Sequence, residues 1–161
     1  MAGRMQVTGT EELAAMLNRM GADADKIASA ALYDGADVVA DAYTVATKSI
    51  QARKRGNGES RTEARYPTPE EKAAIMIGVS RFRRDGDEVN TRVGAAEGYM
   101  TVDGKNKAIK LIANAINSGT SFMHKQPVYR RALNRVRKTA EDTMVKTAED
   151  MINEITRQGG K

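Results

Sequence analysis

The spacing of apolar residues predicts four helices along the chain. Each predicted helix carries apolar side chains at intervals of three and four positions. The predicted ranges are 10–20, 23–53, 108–117 and 127–157. Pro127 suits the start of the last helix, because the first helical position needs no backbone N–H donor. We expect Gly35 to be a weak point of the second helix, since Gly costs about 1 kcal/mol relative to Ala in a helix interior.

The apolar stripe of the second helix is the main candidate for a core surface. Many of its members are Ala, which would let a neighbouring element approach closely. The stripe comprises Ile27, Ala31, Val38, Ala42 and Val45, widened by Leu32, Val39, Ala46 and Ile50. We interpret this stripe and the corresponding Met and Ala positions of the last helix as core, with a subunit interface as the second interpretation.

Alternating apolar and polar residues predict β-strands between the two long helices. Residues 75–83 and 89–95 alternate in this way and flank Asp85-Gly86, which is a strong hairpin signal. A short leading strand is predicted at 4–8, and residues 96–106 are interpreted as a turn region. These elements predict an α+β fold, with two long helices packed on a small antiparallel β-sheet, in a single domain of residues 1–161.

Residues 53–69 show no periodic pattern and are predicted to form a long exposed loop. The segment is longer than most connections, so a functional loop is a better interpretation than a simple linker. Its basic side chains are Arg53, Lys54, Arg55, Arg61 and Arg65. Residues 158–161, which end in Gly-Gly-Lys, are predicted to be a flexible tail.

The residue inventory excludes most enzyme chemistry. The chain has no Cys and a single His, His124, so disulfides, thiolate catalysis, zinc–thiolate sites and multi-His metal sites are excluded. The chain has no Asp or Glu between Asp103 and Glu141, so no carboxylate close in sequence can orient His124. We interpret His124 as a loop or capping residue. We therefore predict a protein that is not an enzyme and that uses no cofactor or metal.

Charge is unevenly distributed along the chain, although the formal net charge is only +5. Residues 1–80 are nearly neutral, and the excess of Lys and Arg lies in residues 81–161. The last predicted helix is basic first and acidic afterwards. Its basic residues are Arg130, Arg131, Arg135, Arg137 and Lys138, and its acidic residues are Glu141, Asp142, Glu149, Asp150 and Glu154.

Basic residues in the first turns of a helix are opposed by the helix dipole, so their position calls for a reason. Three interpretations remain open for them and for the basic residues of the loop. They form a solvated face, they contact an acidic neighbouring subunit, or they contact nucleic-acid phosphates.

The segment Gly-Thr-Ser-Phe-Met-His-Lys-Gln-Pro-Val-Tyr-Arg-Arg-Ala-Leu at 119–133 resembles a family of tailed-phage proteins. These are head–tail joining or tail-completion proteins related to the lambdoid minor tail protein Z. The opening Val-Thr-Gly-Thr-Glu-Glu-Leu at 7–13 and the order of predicted elements are also similar to the family's, whereas 53–69 lacks its usual segment. The matching motif residues are Gly119, Thr120, Ser121, Met123, Gln126, Pro127, Arg130, Ala132 and Leu133.

The resemblance implies a structural role in a siphophage-like virion. Family members form a ring, expected to be a hexamer, at the neck or upper tail, where they join the tail tube to the head connector around the DNA channel. The implied partners are further copies of the chain, adjacent neck, connector, tail-tube or tail-terminator proteins, and passively the DNA in the channel, with no membrane. Such a protein is made in the host bacterial cytoplasm and ends in the virion. From the residues alone, a small basic nucleic-acid-binding protein is the alternative.

Overall fold

The computed structural model describes residues 3–4, 21–53, 64–86, 88–102 and 104–158. The fold within these ranges is α+β, as predicted. The helices are α1 (Ala24–Lys48), α2 (Pro69–Ala73), α3 (Ile109–Ser118) and α4 (Val128–Gln158). The strands are β1 (Gly3–Arg4), β2 (Ile77–Val79), β3 (Arg83–Asp85), β4 (Glu88–Asn90), β5 (Arg92–Ala95), β6 (Tyr99–Val102) and β7 (Lys105–Ala108).

The two long helices, α1 and α4, pack against each other in antiparallel directions. Near one end of the contact, the rings of Tyr43 and Tyr129 have centroids 5.2 Å apart. Near the other end, the Thr147 hydroxyl donates a hydrogen bond of 2.7 Å to the Asp34 carboxylate. Small buried side chains lie along the contact, among them Ala36, Ala140 and Ala148. Of the Ala residues in the predicted α1 stripe, Ala31 is buried, whereas Ala42 and Ala46 are only partly buried.

The buried face of α1 is rotated relative to the predicted stripe. Ile27, Leu32 and Val39 are buried as expected, but Val45 is 67% exposed. Tyr43, which the predicted stripe omitted, is buried and touches α4. The prediction for Val45 was wrong because α1 has two adjacent faces of similar apolar character, and only the contact with α4 selects between them.

Helix α1 ends at Lys48 and does not continue to residue 53 as predicted. The Lys72 ammonium group donates to the carbonyl oxygens of Lys48 and Ile50, each at 2.8 Å. These bonds satisfy carbonyl groups that the end of a helix leaves without a partner. The chain turns here and buries Ile50, whose contacts come from residues distant in sequence, so the helical pattern alone placed the end too late.

The strands form three small antiparallel sheets. Strand β5 lies between β1 and β2, with Val93 opposite both Gly3 and Val79. Strands β3 and β4 form the predicted hairpin at Asp85-Gly86, where Gly86 has a φ of +61° that favours glycine. Each of the two predicted strands is divided in the structure: 75–83 contains β2 and the start of β3, and 89–95 contains most of β4 and all of β5. At that break the Thr91 hydroxyl donates to the Ser80 carbonyl at 2.7 Å.

Residues 96–106 were wrongly predicted to be a turn region. Strands β6 and β7 pair through this region in a second hairpin that turns at Gly104. The sequence Lys-Asn-Lys-Ala of β7 lacks the apolar alternation of a strand, and its first two residues are exposed. Pairing with β6 is what makes this segment extended. Helix α3 follows directly and buries Ile112, Ala113 and Ile116, as its predicted stripe requires.

Several predicted segments lie outside the described residues. These are the leading strand beyond Arg4, the helix at 10–20, residues 54–63 and the end of the tail at 159–161. Among the helices that the structure describes, none combines the length and the apolar character needed to cross a membrane.

Gly35 provides a test of the close contact between α1 and α4. A Cβ atom at this position would lie 2.4 Å from Met144 Cγ and 2.5 Å from Met144 Cε. We expect Gly35→Ala to lower the free energy of unfolding by about 1–3 kcal/mol, because crowding in a packed core outweighs the gain in helix propensity. Urea denaturation followed by circular dichroism measures the change.

The matched control is Gly35→Ala combined with Met144→Ala, compared with Met144→Ala alone. In that background the added methyl group enters the space that Met144 leaves, so Gly35→Ala should be neutral or stabilising. If Gly35→Ala stabilises the wild-type chain, Gly35 is not a site of close helix packing.

Candidate functional site

The segment 119–133, which carries the family resemblance, contacts the end of the loop 53–69 and the ends of α1 and α3, and it leads into α4. We call residues 119–133 the junction. Its backbone pairs with the returning loop: the Arg65 N–H donates to the Phe122 carbonyl, and the His124 N–H donates to the Arg65 carbonyl, both at 2.9 Å. Met123, between these two bonds, is buried. These two bonds hold the end of the loop 53–69 against the junction.

Gln126 connects the junction to the ends of α1 and α3. Its side-chain amide accepts a hydrogen bond from the Gln51 N–H at 2.8 Å and donates one to the Gln51 carbonyl at 3.0 Å. This is the pairing that the backbone of a neighbouring β-strand would make. Its own N–H donates to the Ile116 carbonyl at 2.7 Å. One side chain and one peptide group thus fix the relative positions of three elements.

Tyr129, in the first turn of α4, anchors this helix on α1. Its hydroxyl lies 3.0 Å from the Thr47 hydroxyl, and its ring packs on Tyr43. Burial raises the pKa of both phenols above the ordinary value, with the neighbouring Tyr129 adding to the effect on Tyr43. Both groups are therefore neutral at physiological pH, and the contact is apolar apart from one hydrogen bond.

Gly119, Thr120 and Ser121 are the first residues of the junction and form the turn that follows α3. Gly119 has a φ of +77°, and a Cβ atom there would lie 2.8 Å from Lys125 Cβ. The position therefore requires glycine for both its backbone conformation and its space. The Thr120 hydroxyl accepts the Phe122 N–H at 3.2 Å, and Ser121 is exposed at the turn. These motif residues have a structural role.

The prediction of an exposed loop was wrong for the end of the segment 53–69. Pro67 is fully buried, and its carbonyl accepts the Arg53 N–H at 2.7 Å. Arg65, expected to be available to a partner or to DNA, instead donates to both carboxylate oxygens of Glu71 at 2.6 Å. The buried carboxylate attracts the guanidinium group and fixes the loop's return.

Glu71, which the sequence reasoning missed, is only 1% exposed and belongs to a capping box with Thr68. The signal was present in the sequence as Thr-Pro-Glu-Glu at 68–71, the pattern of a helix N-terminus. Burial on its own raises the pKa of Glu71. Hydrogen bonds from Arg65 and from the Thr68 N–H, with the positive charges of Arg65 and Lys107, outweigh burial and hold this pKa below its ordinary value of 4.5.

A groove of about 620 Å³ runs along α1 and α4 beside the junction. Each wall is a stripe of residues at helical spacing, one on α1 and one on α4. The antiparallel packing of the two helices places these stripes side by side. Apolar side chains form most of the lining, and the predicted contact residues Arg131 and Arg135 contribute positive charge. The groove residues are Val38, Asp41, Ala42, Val45, Ala46, Ser49, Val128, Arg131, Ala132, Arg135 and Val136.

The other predicted contact residues occupy different places. Arg130, Arg137 and Lys138 are exposed on α4 outside the groove, and the Arg137 Nε atom lies 3.0 Å from a Glu141 carboxylate oxygen. Motif residue Ala132 lines the groove, and motif residue Leu133 packs against the core. Lys54, Arg55 and Arg61 lie outside the described residues.

His124 is exposed and stacks on Tyr66, with ring centroids 4.6 Å apart. In the part of the chain that the structure describes, no cluster of His, Asp or Glu side chains has the arrangement of a metal site. The groove and the junction are therefore the features from which a function can be argued.

Comparisons with protein-family models, with curated proteins and with solved structures find no match to this chain.

The Arg65–Glu71 pair predicts a stability that depends on pH. Because the pKa of Glu71 is lower in the folded chain than in the unfolded chain, its contribution is complete above about pH 4.5 and is lost as the pH falls through the folded-state pKa. Glu71→Gln should lower the free energy of unfolding at pH 7 by about 1–3 kcal/mol. It should also weaken the dependence of this free energy on pH below about pH 4.5. Chemical denaturation across this pH range measures both effects.

The neighbouring Glu70→Gln is the matched control, since Glu70 is exposed on the same short helix. It should change stability by less than about 0.5 kcal/mol. Equal effects of the two substitutions would contradict a special role for Glu71.

Gln126→Ala should lower the free energy of unfolding by about 0.5–2 kcal/mol, because two hydrogen bonds to the Gln51 backbone are lost. Gln51→Ala is the control: Gln51 contributes its backbone to this contact, so its side chain should be dispensable. Thermal unfolding of both variants tests the expectation, and an equal loss in both would contradict it.

Proposed function

We propose that the chain is a structural subunit of a tailed-phage virion, a ring-forming neck or tail-completion protein. In this role it joins the tail tube to the head connector around the DNA channel. The observation that carries the proposal is the junction, because the residues on which the family resemblance rests are those that fix the start of α4. Gly119, Gln126 and Pro127 thus match the family at positions where this fold needs them.

The distribution of charge on α4 supports contacts with protein. Arg131 and Arg135 are one helical turn apart and face the groove, beside apolar side chains. Arg130 and Arg137 lie on the opposite side of the same helix, since their positions differ from the groove stripe by about half a turn. Lys138 follows Arg135 on the groove side of α4. Because Arg131 and Arg135 share their surface with the exposed Val45, this side is suited to a protein partner more than to a phosphate backbone.

Complementation of a gene disruption tests the proposal. We expect a phage whose copy of this gene is disrupted to accumulate DNA-filled heads and separate tails. The wild-type protein supplied in trans should restore joined particles, counted by electron microscopy and as infectious titre. Normal virions in the absence of the protein would contradict the proposal.

DNA binding by the purified protein separates the proposal from the nucleic-acid-binding alternative. A structural subunit should bind duplex DNA weakly. A steep linear fall of log affinity with log salt concentration, with a slope equivalent to several phosphate contacts, would favour the alternative. Filter binding or fluorescence anisotropy at several salt concentrations provides the measurement.

A further inference from the structure

The groove presents apolar surface that this chain leaves uncovered within the described residues. Val45 is 67% exposed there, next to the small side chains of Ala42 and Ala132. Two helices that expose small residues at helical spacing provide a shallow seat for a third helix. Arg131 and Arg135 line the same groove on its α4 side. Asp41 lines the α1 side, so the lining carries two positive charges against one negative charge. An occupant that matches this surface has an exposed apolar residue flanked by acidic groups.

The second half of α4 carries such a surface. Val145 is 47% exposed and has acidic residues at positions three and four before it and four after it. This spacing places them on one face of the helix. We call Glu141, Asp142, Val145 and Glu149 the acidic stripe; all four are exposed.

The acidic stripe cannot fold back onto the groove of its own chain, because the stripe and the α4 wall of the groove belong to one continuous helix, in which the groove residues end at Val136 and the stripe begins at Glu141. Tyr129 packs on Tyr43, so the part of α4 beside Val45 is close to residue 129. Val145 lies sixteen residues farther along the same continuous helix, or about 24 Å away. Neither surface can therefore be covered by the other within one chain.

We propose that the groove of one copy binds the acidic stripe of a second copy, so that copies of this chain associate head to tail. Arg131 and Arg135 face Glu141, Asp142 and Glu149 of the neighbour, while Val145 covers the apolar lining around Val45. Because the two surfaces are different patches of the same chain, repetition of the contact generates a ring when the rotation closes. The inference deepens the proposed function by naming the contact between subunits, and it rests on that proposal for the ring itself.

Cysteine crosslinking tests the contact directly, since the chain contains no Cys of its own. Val45→Cys and Val145→Cys are purified separately, mixed in equal amounts and oxidised under mild conditions. We expect a disulfide-linked dimer to form in the mixture at a rate at least about tenfold higher than in either variant alone. A disulfide forms only where the two Cα atoms come within about 7 Å of each other.

The other occupants of the groove give different results, and each would overturn the proposal. Crosslinking of Val45→Cys with itself at the same rate would show two grooves facing each other. The absence of a dimer in the mixture would show that the groove does not bind the acidic stripe of a second copy. A crosslink formed equally under denaturing conditions would show that contact in the folded state is not required.

Charge reversal supplies the second test. Arg131→Glu with Arg135→Glu makes the groove acidic, and Asp142→Lys with Glu149→Lys makes the acidic stripe basic. Each double variant alone should associate about 100-fold or more weakly than the wild type, because like charges then face each other. An equal mixture of the two should recover association, since each surface again meets its opposite charge. Sedimentation velocity measures the association, and failure of the mixture to recover it would contradict the pairing.

Arg83→Glu with Arg92→Glu is the matched control. Both residues are exposed on strands outside the groove and the acidic stripe, and the pair makes the same change in net charge as the groove variant, so it should associate like the wild type. Circular dichroism checks that every variant is folded. Head-to-tail association without any defect in phage assembly on gene disruption would uphold this contact and contradict the proposed function, so the two failures are distinguishable.

Discussion

The close antiparallel contact between α1 and α4 is the interaction on which the rest of the structure depends. It brings Tyr43 against Tyr129 at one end and Asp34 against Thr147 at the other. Gly35 leaves room for Met144 between them. Strands β2, β4 and β5 pack on the same α1 helix, and α3 packs on both β5 and β7. The contact is possible because small residues occur where the helices come closest.

The junction determines where this contact begins. A helix of 31 residues has considerable freedom of direction unless its first turn is held. Gln126 holds that turn through the Gln51 backbone, and Tyr129 holds it through Thr47. The buried Glu71 carboxylate then retains Arg65, so the loop returns along the junction. The Glu71 carboxylate is buried whereas the Arg65 guanidinium group is partly exposed, so loss of Arg65 would leave a buried carboxylate without its ion-pair partner.

The sorting of charge along α4 follows from the same packing. Taken as a total, a net charge of +5 favours no partner strongly. Once α4 is seated on α1, Arg131 and Arg135 line the groove, whereas Arg130 and Arg137 lie on the other side. Basic groups that share a surface with exposed valine are suited to a protein partner, because apolar burial contributes to such contacts and charge sets their register.

The sequence by itself determined the fold class, the two long helices, the hairpin at Asp85-Gly86 and the helix that buries Ile112 and Ile116. These depend on periodicity and on turn chemistry, which are local properties of neighbouring residues. Tertiary structure alone decided that Val45 is exposed, that Arg65 binds Glu71 and that Lys105–Ala108 is a strand. Each of these depends on a specific partner in the folded chain, which no periodic pattern reveals even where that partner is as near as Glu71 is to Arg65 or β6 is to β7. A local pattern shows which residues can be buried, but only packing decides which of two similar faces is covered.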